Sequence, residues 1–263
     1  MKTLKHHAKR IVENFYLVLI LIFLYAPIVT MMVLSFNSSK SRTQWGGFTL
    51  QWYTQMFDSA TIMDALVNTL LIAFVSALIA TIIGTAASIA INSMKPLPRT
   101  IIMGITNIPM LNADIVTGIS LMLAFIAFGI SLGFQTILIA HITFNIPYVI
   151  LSVMPKLKQT NKSTYEAAMD LGANPFQTFQ KVVLKLSMPG VINGIVMVFL
   201  MAISSFVIPK LLGGGQFVLI GNLIESQFIS VGDWNFGSAI SLILAVIILI
   251  FMGLMKRMDK QDE

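Results

Sequence analysis

Six long apolar runs separated by short polar or glycine-bearing stretches set the pattern of this chain, at about Phe15–Leu34, Leu66–Ile91, Ile101–Phe128, Phe134–Met154, Val191–Ile208 and Ala239–Met255. Each is close to the roughly 20 residues that a helix needs to cross ~30 Å of bilayer hydrocarbon. Inside the runs apolar residues follow one another without period-two alternation, so helices are expected rather than the strands of a barrel. The expected fold class is all-α, a polytopic membrane protein with six transmembrane helices. Its parts are a basic tail over 1–14, a membrane domain over 15–258 and a short tail over 259–263. No small-residue cleavage site follows the first run, whose exit reads Ser35-Phe36-Asn37-Ser38-Ser39-Lys40, so that run is expected to be a retained helix.

Composition and charge sharpen this picture. With 56% hydrophobic and 11% charged residues and a mean hydropathy of +0.85, the chain is too apolar for a water-soluble domain. Placing the amino terminus in the cytoplasm puts all but Lys40, Arg42 and Lys210 of the 17 basic residues on the cytoplasmic side. That asymmetry is the positive-inside pattern, so both termini are expected in the cytoplasm. Topology then accounts for the net charge of +6, and no nucleic-acid partner is inferred, since the basic residues are not interleaved with aromatics. The absence of cysteine removes disulfides, thiol catalysis and thiolate metal sites.

The loop between the fourth and fifth runs, 156–190, is the one long polar insert. It holds STYEAAMDLGANPFQTFQKVVLKLSMPG over 163–190. Ser163 and Glu166 have the spacing of a capping box. Gly172 is placed to stop that helix in the left-handed region, and Asn174-Pro175 reads as an N-cap and first-turn proline of a second helix. Phe176, Phe179, Val182, Val183 and Leu186 form an apolar stripe at helical spacing. Helix, sharp turn, helix is expected. Glu166, Ala167, Ala168, Leu171 and Gly172 make a short knob that a partner's cleft can approach, although Glu166 also has a purely structural use as a cap.

Polar residues inside the runs are costly and so informative. The third run is interrupted by Asn107-Ile108-Pro109-Met110-Leu111-Asn112-Ala113-Asp114. An aspartate at mid-span costs about 2.5–3.5 kcal/mol on insertion scales, so Asp114 should face the bundle interior or a watery cavity. It suits a cationic solute, or else it is a structural carboxylate bonded to Asn107, Asn112 or a neighbouring helix. Asn145 in the fourth run and Ser204-Ser205 in the fifth are further candidates for a solute path, with helix packing as the alternative for the serines. His141 is read as an interhelical hydrogen-bond partner, with lining the solute path as the alternative. Trp45, Trp52 and Tyr53 form either an interfacial aromatic belt or a docking surface. The glycines at Gly213-Gly214-Gly215 point to a tight turn rather than a phosphate cradle.

No phosphate-loop, zinc-helix or nucleophile-elbow motif occurs, and His6, His7 and His141 are not spaced as metal ligands, so neither an enzyme nor a metal site is expected. Nor is there a convincing internal repeat of the kind secondary transporters use.

The insert resembles the EAA loop of ABC-importer permeases, whose pattern is E-A-A-x3-G-x9-I-x-L-P. Glu166-Ala167-Ala168, Gly172, Val182 and Leu184 fall in register, with Lys185 where the pattern has proline. Over most of its length the chain also resembles the membrane subunits of bacterial spermidine/putrescine importers. The phrases that carry this are Tyr25-Ala26-Pro27, the Asn37-Ser38-Ser39 exit with Trp45 and Trp52-Tyr53, Asp114-Ile115-Val116-Thr117-Gly118-Ile119-Ser120, and His141-Ile142-Thr143-Phe144-Asn145-Ile146-Pro147-Tyr148. The amino-terminal two-thirds resembles one of the two homologous permeases of that importer, and the stretch after Ile203 the other.

The resemblance implies a type I importer permease with the MetI-like fold, set in the bacterial cytoplasmic (inner) membrane among its lipids. Its implied partners are a homologous permease, two copies of a cytosolic ATPase that binds ATP and Mg, and an extracytoplasmic solute-binding protein. This chain would hold no cofactor, and the 166–172 knob would couple it to the ATPase. The implied solute is a polyamine. The alternatives are another solute class, such as an amino acid, an iron complex or an oxyanion, or an independent secondary transporter.

Overall fold

The computed structural model describes residues 2–41, 43–159 and 162–259, and the described residues are helical apart from short connections and one isolated bridge between Asn37 and Phe48. The helices are α1 (Lys2–Ser35), α2 (Gln51–Asp58), α3 (Ala60–Ser93), α4 (Pro96–Leu111), α5 (Asp114–Ala127), α6 (Phe134–Gln159), α7 (Lys162–Asp170), α8 (Pro175–Thr178), α9 (Leu184–Ser204), α10 (Val207–Leu212), α11 (Ile220–Ser226) and α12 (Trp234–Asp259). Five are long and apolar enough to cross a membrane, and α4 with α5 makes a sixth span broken by a bend of 102°.

Most boundaries follow the hydropathy pattern, and the departures have local causes. The expected third span is two helices. Pro109 withholds an amide hydrogen from the α4 ladder, and Asn112 and Ala113 then adopt extended backbone at ψ 146° and 138°. The expected fifth span stops at Ser204. Its last residues belong to α10, because Ser205 turns extended at ψ 131°. Helix α3 begins six residues ahead of its apolar run and α12 five ahead, since polar residues at a span's end are no obstacle to helical backbone.

The chain divides into two compact units. One comprises residues 1–60 and 224–247. In it Asn37 organises the segment after α1. Its Nδ2 donates to the carbonyls of Gln44 (2.9 Å) and Ser41, and its Oδ1 accepts from the amides of Gly46 (2.8 Å) and Ser39. Its own carbonyl accepts from Trp52 Nε1 (2.8 Å) and Asn235 Nδ2 (3.1 Å). Trp52 is 3% exposed and packs on Phe236, while Phe36 stacks between Phe48 and Tyr53.

The second unit comprises residues 61–223 and 248–263. Small residues let its helices approach closely. On α9, Gly190 faces Ser152 and Val153 of α6, and Ser152 Oγ donates to the Gly190 carbonyl at 2.9 Å. On α3, Gly84 lies against Val149 and the Ile146 carbonyl. A core of Ile72, Phe125, Ile137, Phe144, Ile208 and Leu212 joins α3, α5, α6 and α10. Two long-range hydrogen bonds pin the connections to it: Thr136 Oγ1 to the Leu212 carbonyl (2.9 Å) and the Ile220 amide to Thr69 Oγ1 (2.8 Å).

Candidate functional site

A half-open cavity of about 170 Å³ belongs to the second unit, with Asp114 and Ser204 on its exposed side. Three local breaks in helical structure build it. The α4–α5 bend delivers Asp114 as the first residue of α5, where the unpaired amides of a helix start favour a carboxylate. The stop after Ser204 brings Ser204, Ser205 and Phe206 to its wall, followed by Val207 and Ile208 at the start of α10. Helix α6, unbroken here, contributes His141, Phe144 and Asn145. Asp114 is the one charged side chain in that lining.

The geometry gathers Asp114, Asn145, Ser204 and Ser205 from separate stretches of sequence. Asn112 is not among them; it is exposed at the bend and does not line the cavity. Ser204 Oγ donates to the carbonyls of Leu200 and Met201 in its own helix, which leaves its lone pairs for the cavity. His141 is a residue whose setting the sequence did not disclose. Its Nδ1 bonds to the Ile137 carbonyl of its own helix at 2.9 Å rather than across to another helix. Its Nε2 is buried without a partner, as is Asn145 Nδ2. An unmet buried polar group costs about 1–3 kcal/mol, and both of these belong to residues that line the cavity. The spacing of His141 and Asn145, four apart on one helix, is the sequence signal that both face the same way.

The polar insert is a second candidate surface. Helix α7 ends in a full Schellman motif: Gly172 sits at φ +85°, its amide donates to the Met169 carbonyl (2.9 Å), and the Ala173 amide donates to the Ala168 carbonyl (3.1 Å). Glu166, Ala167 and Gly172 are exposed, and Leu171 is 89% exposed. Ser163 and Glu166 lie in the first turns of α7, and Asn161, ahead of them, lies outside the described residues. The next helix opens at the expected Asn174 with a reciprocal pair: Asn174 Oδ1 accepts from the Gln177 amide (2.8 Å) and Gln177 Oε1 from the Asn174 amide (3.2 Å). From Pro175 the chain stays helical through a π-turn at Phe179–Val183 into α9. Lys185, unlike the proline of the pattern, supplies an amide to that ladder, and even Pro189 does not interrupt it. Of the expected stripe, Val182 and Val183 are half-buried and Leu186 exposed, while the side chains of Phe176 and Phe179 lie outside the described residues.

The aromatic group does not act as one surface. Trp52 is buried, with its indole N–H spent on Asn37, so it can neither dock a partner nor sit in a lipid-interface belt. Tyr53 is half-buried and its phenol donates to Ser35 Oγ at 2.8 Å. Burial pushes that phenol above its ordinary range, outweighing the opposing effect of the Ser35 bond, so it remains a donor. Only Trp45 is exposed.

Among the described residues there are thus up to six apolar spans, one of them broken beside a cavity lined by a single carboxylate, and an exposed helix–turn–helix insert. The sequence profile of the family described as "Binding-protein-dependent transport system inner membrane component" matches residues 80–261, and this chain belongs to that family. It is 33% identical over 251 residues to the "Spermidine/putrescine transport system permease protein PotC" of Escherichia coli strain K12, covering 94% of this chain and 95% of that one. It is 32% identical over 249 residues to the "Putrescine transport system permease protein PotI" of the same organism, covering 91% and 89%. A single relative is thus matched nearly end to end, including the stretch after Ile203. Among solved structures, a chain of a bacterial alginate ABC transporter in complex with an alginate pentasaccharide-bound periplasmic protein superposes with a TM-score of 0.73 at 14% identity, over 98% of this chain and 95% of that one. A chain of the MetNI methionine ABC transporter in an inward-facing conformation gives 0.66 at 20% identity, over 78% and 99%. These last two establish the fold.

Proposed function

We propose that this chain is one of two homologous permeases of an ATP-driven polyamine importer, and that the solute passes through the Asp114 cavity. The observation that carries the proposal is that cavity, whose one charged lining residue is a carboxylate. Carboxylate, hydroxyl and amide groups suit a polycation in transit, binding it weakly enough to let it leave. The names of the relatives at 33% and 32% identity point the same way.

The family supports the remaining parts of this reading. Both termini and the α7 knob face the cytoplasm, where the basic residues concentrate. A separate ATPase in two copies binds ATP and Mg and supplies the hydrolysis, since this chain has no phosphate-loop motif. A solute-binding protein delivers the polyamine from the other side. Closure of the ATPase pair pushes on Glu166, Ala167, Ala168, Leu171 and Gly172. The continuous helix from Pro175 to Ser204 carries that push toward the cavity wall at Ser204 and Ser205, shifting the bundle between two states.

The test is uptake of labelled spermidine and putrescine in cells lacking their own importer, with this chain expressed alone and then with its partner subunits. Uptake that needs the partners and stops on ATP depletion is expected. Uptake by the chain alone, driven by an ion gradient, contradicts the proposal; so does a complex that assembles with its ATPase yet imports no polyamine.

A further inference from the structure

The tautomer of His141 can be read from its surroundings. A carbonyl oxygen only accepts, so in the bond to Ile137 it is Nδ1 that carries the proton. A neutral imidazole has one such proton, which leaves Nε2 as a bare acceptor. The side chain is 2% exposed, and Nε2, itself covered in this conformation, has no partner among the described residues, so a solute reaches it only as the path opens. The wall around it is largely apolar, the Ser204 hydroxyl donates to its own helix, and neither Ser205 nor the unpaired Asn145 Nδ2, both in the lining, bonds to it. Asp114, in the same lining, is an acceptor as well. The cavity therefore combines a carboxylate with a second acceptor that is not charged, a pairing suited to a cation that also donates hydrogen bonds.

We propose that His141 is a specificity-determining residue of the transport path, accepting an N–H of the solute's ammonium group through Nε2 while Asp114 balances its charge. This deepens the polyamine reading and rests on it. A carboxylate alone attracts any cation. An imidazole acceptor held in one tautomer adds a preference for an N–H, which a protonated primary or secondary amine meets and a quaternary ammonium does not.

Two substitutions separate this role from a structural one. His141→Asn keeps a donor near the Nδ1 position for the Ile137 carbonyl but does not reach the place of Nε2. His141→Gln carries an amide oxygen out to that place. Both are made in the full complex, reconstituted with its ATPase and binding protein in vesicles, and labelled spermidine uptake and ATP hydrolysis are measured together. The Asn variant is expected to lose about tenfold or more in uptake per ATP, the scale of one hydrogen bond to a charged group, with hydrolysis within about twofold of the unsubstituted complex. The Gln variant is expected to recover to within about threefold.

Unchanged uptake per ATP in the Asn variant overturns the proposal, as does an equal loss in both variants or failure of both to assemble, since each of these makes His141 a packing residue. An unsubstituted complex that imports no spermidine overturns the polyamine reading itself, and this inference with it. Normal import by the unsubstituted complex with an insensitive His141 leaves the polyamine reading standing.

Discussion

Gly172 lets the α7 knob end where it does. At φ +85° a side chain meets no neighbouring atom, so the cost of replacing it is conformational, on the order of 1–3 kcal/mol for a non-glycine residue in that region. Gly172→Val should therefore leave the bundle folded but deform the turn, and uptake per ATP should fall severalfold while hydrolysis continues. Measuring both rates in the same vesicles decides it, and coupled transport at the normal rate removes the knob from the coupling role. At Trp52 the sequence and the structure part company. A tryptophan after an apolar run reads as a belt residue, or else as a docking residue, and nothing local reveals that Asn37 will claim its N–H. Trp52→Phe should lower stability in detergent by about 1 kcal/mol, the net worth of that bond, in a thermal melt. Its Phe236 contact is kept by the new ring.

Helix existence was legible because a bilayer forces every spanning segment to satisfy its own backbone, so long apolar runs have few other options. Helix breaks were legible only in part. Pro109 and Asn112 announced a disturbance in the third span, but not a bend of 102°. The stop after Ser204 carries no glycine or proline until Pro209, and the expected span ran through it. The continuity from α8 into α9 was masked by Pro189, which reads as a boundary but is accommodated inside the helix. Helix packing adds a prediction at this scale. A Cβ at Gly190 would stand 3.0 Å from the Ser152 carbonyl oxygen, whereas at Gly194 the nearest atom is 3.5 Å away. Gly190→Ala should cost about 1–3 kcal/mol as overpacking against backbone, and Gly194→Ala should be close to neutral. Detergent melting temperatures of the two variants compare them directly, and equal losses contradict the α6–α9 packing.

For the whole molecule, composition and charge bias sufficed to place the chain in a membrane, and the E-A-A-x3-G pattern sufficed to place it in a family. The cavity was less accessible to sequence. Asp114, Asn145, Ser204 and Ser205 were each picked out as polar residues in apolar runs, but polarity could not tell Asn112, left outside the lining, from Asn145 within it. Nor could it show His141 tied to its own helix with Nε2 turned to no partner. Those distinctions depend on which way each helix faces after the breaks. The central claim is that a polyamine crosses beside Asp114, and the most direct measurement is labelled spermidine uptake by the reconstituted complex with Asp114→Asn. That substitution keeps size and one acceptor oxygen while removing the charge and turning the other oxygen into a donor. Uptake is expected to fall about tenfold or more, the loss of a charged partner, in a complex that still assembles and hydrolyses ATP. Unchanged uptake in that variant contradicts the account.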